Sequence, residues 1–194
     1  LFGGPARLLA GHVAGLDLLV LDAPHLFARE GSIYLGPDGH DWPDNPERFA
    51  ALSLMAARIG ARGLTIDGAA WRPELIHCHD WQAGFVPDYL DREGGDCATV
   101  LTIHNIAFQG LTGHHMIERL GLPRSRFHAD GFEYYGKLSA LKAGLMRADR
   151  LTTVSPTYAA ELMRPEFGMG LDGVMRARRR DLSGILNGID ETAW

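Results

Sequence analysis

"PELIHCHDWQAGFVPDYLDREGGDCATVLTIHN", residues 73–105, decides the fold. Two short apolar words, 73–79 and 98–104, are bounded by Pro, Gly and Asp in the manner of buried strands, and the stretch between them, "WQAGFVPDYLDRE", is helical in composition. Pro87 must bend or shorten that helix, because it lacks the backbone N–H that an interior turn needs. Strand, helix, strand over some thirty residues is the spacing of a parallel crossover, which needs about a dozen or more connecting residues.

The same rhythm extends outward. "LDLLVLDAP" (16–24) reads as a strand buried on both faces, and 46–63 as a helix with Phe49, Leu52, Met55 or Ala56, and Ile59 on one side. Downstream, 105–136 is a long connection rich in Gly, His and aromatics. After it come a helix over 137–149, a strand over 150–155, a helix starting at Pro156 with Ser155 as its N-cap, and a last strand "SGILNG" (183–188). Alternating elements imply an α/β fold with a doubly wound parallel sheet, Rossmann-like, in one domain. Such sheets bind ligands beyond the carboxyl ends of their strands. Polar groups collect there: Asp22, His77-Cys78-His79-Asp80, His104-Asn105, Ser155 and Asn187-Gly188.

Composition narrows the partners. The chain has 194 residues, 46% of them apolar, enough for a substantial core, and its net charge of −5 gives no electrostatic reason to expect nucleic acid. Two cysteines, Cys78 and Cys97, make no disulfide framework and point to a reducing cytoplasm. No apolar run reaches the roughly 18 residues of a membrane span, and no leader pattern opens the chain. Because it begins at Leu1 and stops at Trp194 without a polar tail, the sequence reads as an excerpt with partners missing at both ends.

Two motifs carry chemistry. His77 and His79 alternate with Cys78, so the two imidazoles share one face of a strand and the thiol packs on the other. An H-x-H pair at a strand end is also a metal-site spacing, which leaves a metal-dependent hydrolase open. Against it stand Asp80 directly after the pair, Gln82 where a third histidine would be wanted, and no second cluster to complete a shell. His77 alone fits a satisfied core histidine, whereas Asp80-Trp81 joins a turn cap to a stacking surface. "TIHNIAFQG" (102–110) is the stronger signal: an imidazole, planar amides and an aromatic face after an apolar strand suit the hydroxyls and C–H faces of a sugar. The plain alternative is a loop whose Asn and Gln satisfy their own backbone. "GMGLDG" (168–173) matches a dinucleotide fingerprint only in letters, since no strand precedes it, and "RARRR" (176–180) fits a solvated helix end.

Taken in order, "HCHDWQAGFVPDYL", "TIHNIAFQG", "FEYYGKLSALKAGLMRADRLTTVSPTYAAEL", "FGMGLDGV" and "GILNGIDETAW" resemble the bacterial glycogen synthases and plant starch synthases of glycosyltransferase family 5. The resemblance implies a GT-B architecture of which residues 1–194 are the N-terminal, acceptor-side catalytic domain, incomplete at its amino end, with the C-terminal nucleotide-binding domain absent. It implies retaining transfer of glucose from ADP-glucose to the nonreducing 4-hydroxyl of an α-1,4-glucan such as glycogen, with no cofactor, no catalytic metal, no nucleic acid and no membrane. On the family's motifs, His104 is the catalytic residue beside the transferred glucose, supported by Asn105. Tyr34, Asp80 and Trp81 shape the acceptor site, and Asn187 lies near the donor. The sequence departs from the family in "LFGGPARL", which keeps the glycines of the amino-terminal phosphate loop without its lysine. Gln82 replaces a histidine, and Cys78 stands where a small residue is common. A stand-alone glucan-binding module is the competing reading from another class, and a transferase using a different sugar nucleotide is a minor one within the architecture.

Overall fold

A computed structural model describes residues 1–189 and 192. From its amino end the chain first forms an antiparallel hairpin, β1 (Arg7–Val13) with β2 (Leu16–Asp22). Ala14 and Gly15 turn it at φ 52° and 80°, as a tight turn with two left-handed residues demands. The strand expected over 16–24 is therefore present but not buried on both faces: Leu16, Leu18, Leu19 and Val20 are exposed. An apolar run alone does not supply the layers that bury both faces of a strand, and this two-stranded ribbon leaves much of its apolar surface uncovered.

Next come α1 (Pro24–Phe27), the long α2 (Asn45–Arg62) and a small hairpin of β3 (Leu64–Ile66) with β4 (Ala69–Trp71). The deciding crossover follows: β5 (Leu75–His79), a 3₁₀ turn at Trp81–Ala83, α3 (Val86–Arg92) and β6 (Ala98–Ile103). Pro87 shortens the helix as expected, by occupying its first turn. Thereafter the chain makes β7 (Leu111–Gly113), α4 (Met116–Arg119), β8 (Glu133–Tyr134), β9 (Lys137–Ser139), α5 (Ala140–Arg147), β10 (Arg150–Thr153), α6 (Pro156–Leu162), α7 (Asp172–Ala177) and β11 (Leu182–Gly184).

The central sheet has the order β11-β10-β6-β5, all parallel, so the α/β class is the one observed. Its register places Cys78, Leu101, Leu151 and Leu182 side by side, and the first three are buried. That face packs against Leu141, Leu145, Leu162 and Met175 from the helices. One residue further along each strand, His79, Thr102, Thr152 and Ser183 line up on the opposite face. β5 is an edge strand: Leu75 is exposed, and only Cys78 of its five residues is buried, whereas in β6 four of six residues are buried, so burial on both faces holds for most of β6 and not for β5.

Boundaries differ from the sequence reading at the last strand, expected over 183–188 and observed at Leu182–Gly184, and around residue 140. The helix expected over 137–149 starts at Ala140, because Ser139 caps it: its Oγ accepts the Lys142 N–H at 3.1 Å. Residues 137–139 instead form β9, which pairs with β7 and β8 in a three-stranded antiparallel sheet inside the expected long connection. Strands of two or three residues carry too few positions to show a period. Lys142, buried on α5, fastens this insertion by donating to the carbonyls of Ala129 and Glu133 at 2.7 and 2.6 Å, and burial holds its pKa below the ordinary lysine value. At α6 the Ser155 cap is as read, its Oγ accepting from Tyr158 N at 2.9 Å. Among the described residues no helix is long and apolar enough to cross a membrane.

Candidate functional site

The carboxyl ends of β5 and β6 are neighbours in the sheet, and the two motifs meet there. Asp80 leaves β5 at φ 52°, ψ −161°, a region that glycine normally occupies. Its Oδ1 accepts the backbone N–H of His104 at 2.7 Å and that of Asn105 at 3.4 Å. The acid of "HDW" is thus a clamp on the backbone of "TIHN". A strained backbone held in place at a strand end is a functional signature when the strain has a visible task.

The rest of the 104–110 loop is fastened just as firmly. Asn105 Oδ1 accepts the Ala107 N–H at 3.0 Å, Ile106 N donates to Tyr158 Oη at 3.1 Å, and Gln109 Nε2 donates to the Met169 carbonyl at 3.2 Å. Gln109 is buried, so of the amides expected to face a sugar it serves the fold, as the plain alternative had it. Phe108 and His104 remain exposed. "GMGLDG" contributes only that fastening carbonyl, which Tyr134 Oη also engages at 2.6 Å.

Trp81 stacks edge-on against Phe49 at 4.5 Å and supports the loop from beneath. A Cβ on Gly110 would come within 2.3 Å of its ring. Tyr34 reaches the same place from the loop between α1 and α2: its ring lies 6.1 Å from Trp81, and its hydroxyl accepts Gln82 Nε2 at 2.7 Å. Gln82, a departure from the family pattern, thereby fixes the tyrosine. Buried Arg48 of α2 holds Tyr34's loop by donating to the Leu26 and Ile33 carbonyls at 2.9 and 2.8 Å.

Two basins open around these groups. The larger, about 830 Å³, is lined by Tyr34, Trp42, Asn45, Trp81, Asn105 and Phe108. A neighbour of about 540 Å³ is lined by His77, His79 and His104, and Tyr34, Asp80 and Gln82 belong to both. Aromatic walls with a few amides and two carboxylates, Asp41 and Asp80, suit a neutral polyhydroxylated ligand. Trp42 and Asn45 were not singled out in the sequence. "HDWPDNPER" lies at no strand end, so nothing local marks it.

His77 and His79 do share a face, their rings 4.3 Å apart, but each already spends a nitrogen. His77 Nε2 bonds Thr102 Oγ1 at 2.6 Å, and His79 Nδ1 bonds His104 Nε2 at 3.0 Å. Among the described residues no group of three or more His, Cys, Asp or Glu is placed to hold a metal ion, so the geometry gives the hydrolase reading no support. Desolvation, reinforced by the imidazoles of His77 and His104, holds His79 below the ordinary imidazole pKa, with Asp80 acting the other way. Cys78 packs on the dry face, and burial pushes its thiol up to about 12, which makes it inert. Asn187 is exposed beyond β11 and lines neither basin. Part of its motif, residues 190, 191, 193 and 194, lies outside the described residues.

The clamp makes a prediction. Asp80→Gly removes the strained φ, whose cost is about 1–3 kcal/mol, together with hydrogen bonds to a charged acceptor worth about as much, so the melting temperature should stay within a few degrees. Any function that needs His104 in place should fall sharply. Asp80→Asn keeps an acceptor and should retain far more of it. Calorimetry beside a functional assay separates the two, and a fully functional Asp80→Gly contradicts the clamp.

Three comparisons bear on this site. The profile of the starch synthase catalytic domain matches residues 4–177. The glycogen synthase of Paracoccus denitrificans is 60% identical over 195 residues, covering 100% of this chain and 41% of that protein, and that of Cereibacter sphaeroides (strain ATCC 17023) is 58% identical, covering 100% and 40%. Among solved structures, the catalytic domain of starch synthase IV from Arabidopsis thaliana, bound to ADP and acarbose, superposes with a TM-score of 0.76. It is 29% identical, covering 97% of this chain and 38% of that one. The chain spans about two fifths of the length of these relatives.

Proposed function

Because this chain belongs to the starch synthase catalytic domain family, we propose that residues 1–194 form the N-terminal, acceptor-side half of a GT-B glycogen synthase. The reaction is the retaining transfer of glucose from ADP-glucose to the nonreducing 4-hydroxyl of an α-1,4-glucan, in the cytoplasm, with no nucleic acid or membrane as partner. The observation that carries this reading is the clamp of Asp80 on the His104 backbone beside a basin walled by Tyr34 and Trp81. The Arabidopsis relative, whose structure is bound to ADP and acarbose, supports it.

Each residue has a task in this reading. His104, held by its own backbone, presents an exposed imidazole where the anomeric carbon gains positive charge, and it positions hydroxyls there. Asn105 keeps the loop after His104 closed through its bond to Ala107. Trp81 and Tyr34 offer aromatic faces to acceptor rings, and Asp80 shapes the acceptor site indirectly, as the clamp. Asn187 meets the donor from the end of β11. No step calls on a cofactor or a metal.

The test is a graft. Placing residues 1–194 in place of the matching 195-residue stretch of the Paracoccus denitrificans enzyme should give a protein that transfers labelled glucose from ADP-glucose to glycogen. Residues 1–194 alone should give no transfer, because two facing domains are needed to close over the donor and exclude water. A folded graft without transferase activity overturns the reading.

A further inference from the structure

Three histidines form one array on the polar face of the sheet. His77 Nε2 is bonded to Thr102 Oγ1, which is bonded to Thr152 Oγ1 at 2.5 Å, so this imidazole is anchored across β5, β6 and β10. The His79 ring lies against the His77 ring at 4.3 Å, and its Nδ1 faces His104 Nε2 at 3.0 Å with the rings 5.3 Å apart. An N···N hydrogen bond holds one proton between its two nitrogens: one ring must donate and the other accept. The tautomers of the two histidines are therefore complementary.

We infer that His79 is a positioning residue for the transfer reaction, fixing the ring plane and tautomer of His104 through this bond. The inference rests on the function proposed above, since it assigns His79 a task in that reaction. Asp80 and His79 divide the work: the carboxylate holds the His104 backbone and the imidazole holds its ring. The groups facing His79 are consistent with a neutral donor or acceptor. His77 and His104 flank it, the Asp80 carboxylate adjoins it, Tyr34 and Gln82 line the same basin, and α2 presents only Leu52 and Ala56 there. Desolvation, with the imidazoles of His77 and His104 beside it, also holds the His79 pKa below the ordinary imidazole value. His77 sets the position of His79 by stacking and needs no contact with His104.

Long-range ¹H–¹⁵N imidazole spectra of residues 1–194 read this directly. His79 and His104 should each show a single tautomer, one protonated at the facing nitrogen and the other not. His79→Ala should release His104 to a tautomer mixture, and His79→Gln, whose amide can donate or accept, should restore one form. In the graft, His79→Ala should lower kcat about tenfold, below the roughly 10²-fold that an ångström-scale misplacement can cost, with the KM for ADP-glucose little changed. His79→Gln should recover most of that loss. A tautomer mixture in the parent, an unchanged His104 spectrum in His79→Ala, or a His79→Gln as impaired as His79→Ala overturns the inference. Should His79→Ala fail to fold, the parent spectrum and His79→Gln decide. An inactive graft with complementary tautomers in the parent chain sinks the proposed reaction and leaves the pairing intact.

Discussion

Replacing His104 by alanine in the graft is expected to cut kcat by about 10²- to 10³-fold, the range seen when one preorganised group at a developing charge is removed. The loss should fall on kcat with little change in the KM for glycogen, because the aromatic walls of the larger basin do not include His104. Folding should be unaffected. The ring is exposed, and the loop it sits on is held by its backbone: Asp80 takes the His104 N–H, and Tyr158 takes that of Ile106. An exposed side chain of this kind changes stability by roughly 0.5 kcal/mol or less when truncated. A His104→Ala graft with the parent's kcat would remove this residue from the reaction, whatever became of the family assignment.

The contrast between His104 and Gln109 shows what was legible in the sequence. Both stand in "TIHNIAFQG", both are polar, and the sequence offers them equally to a sugar. In the structure the imidazole faces solvent at the end of β6, while the amide turns inward to Met169 and to Ser139. The partners that recruit Gln109 lie 30 and 60 residues away, and no local pattern encodes them. Asp80 and His104 could be brought together on paper because parallel neighbours place their carboxyl ends side by side, and that needs only two strands in the right order. Tyr34 and Trp42 come from an irregular segment, and Asn45 from the first residue of α2, in a place that depends on Arg48, a buried guanidinium bonded to three oxygens of the chain, so only the family motif marked Tyr34. The hairpin of β1 and β2 was misread for another reason: apolar content fixes strand propensity, but burial on a second face needs a neighbour that the sequence of one strand does not specify.

A second large effect is expected at Gly84, where the sign of the change is itself informative. Its φ of −64° is ordinary for any residue, so Gly84→Ala should raise stability by about 0.4–1 kcal/mol if chain entropy alone decided. The packing says otherwise. A Cβ at this position would lie 2.0 Å from the Ala140 carbonyl oxygen and 2.6 Å from its carbon, and both are backbone atoms of a helix start that no rotamer change can move. Gly144, one turn further along α5, meets the same segment: its own Cβ would come within 3.0 Å of the Gly84 oxygen and 2.9 Å of Leu101. The turn between β5 and α3 and the first turns of α5 therefore touch through two glycines. Forcing them apart should cost about 1–3 kcal/mol or somewhat more, as overpacking does. For a domain of this size that lowers the melting temperature by roughly 2–12 °C. Gly11→Ala, with nothing within 4 Å of its added carbon, should leave it nearly unchanged. The damage should also reach the site, because Ala140 and Leu141 donate their N–H groups to the carbonyls of Gly110 and Gln109. Displacing α5 pulls the end of the His104 loop with it, so the Gly84→Ala graft should lose activity even at temperatures where it stays folded. A rise in melting temperature for Gly84→Ala would mean that α5 can retreat without cost and that this close approach does not hold the loop in place.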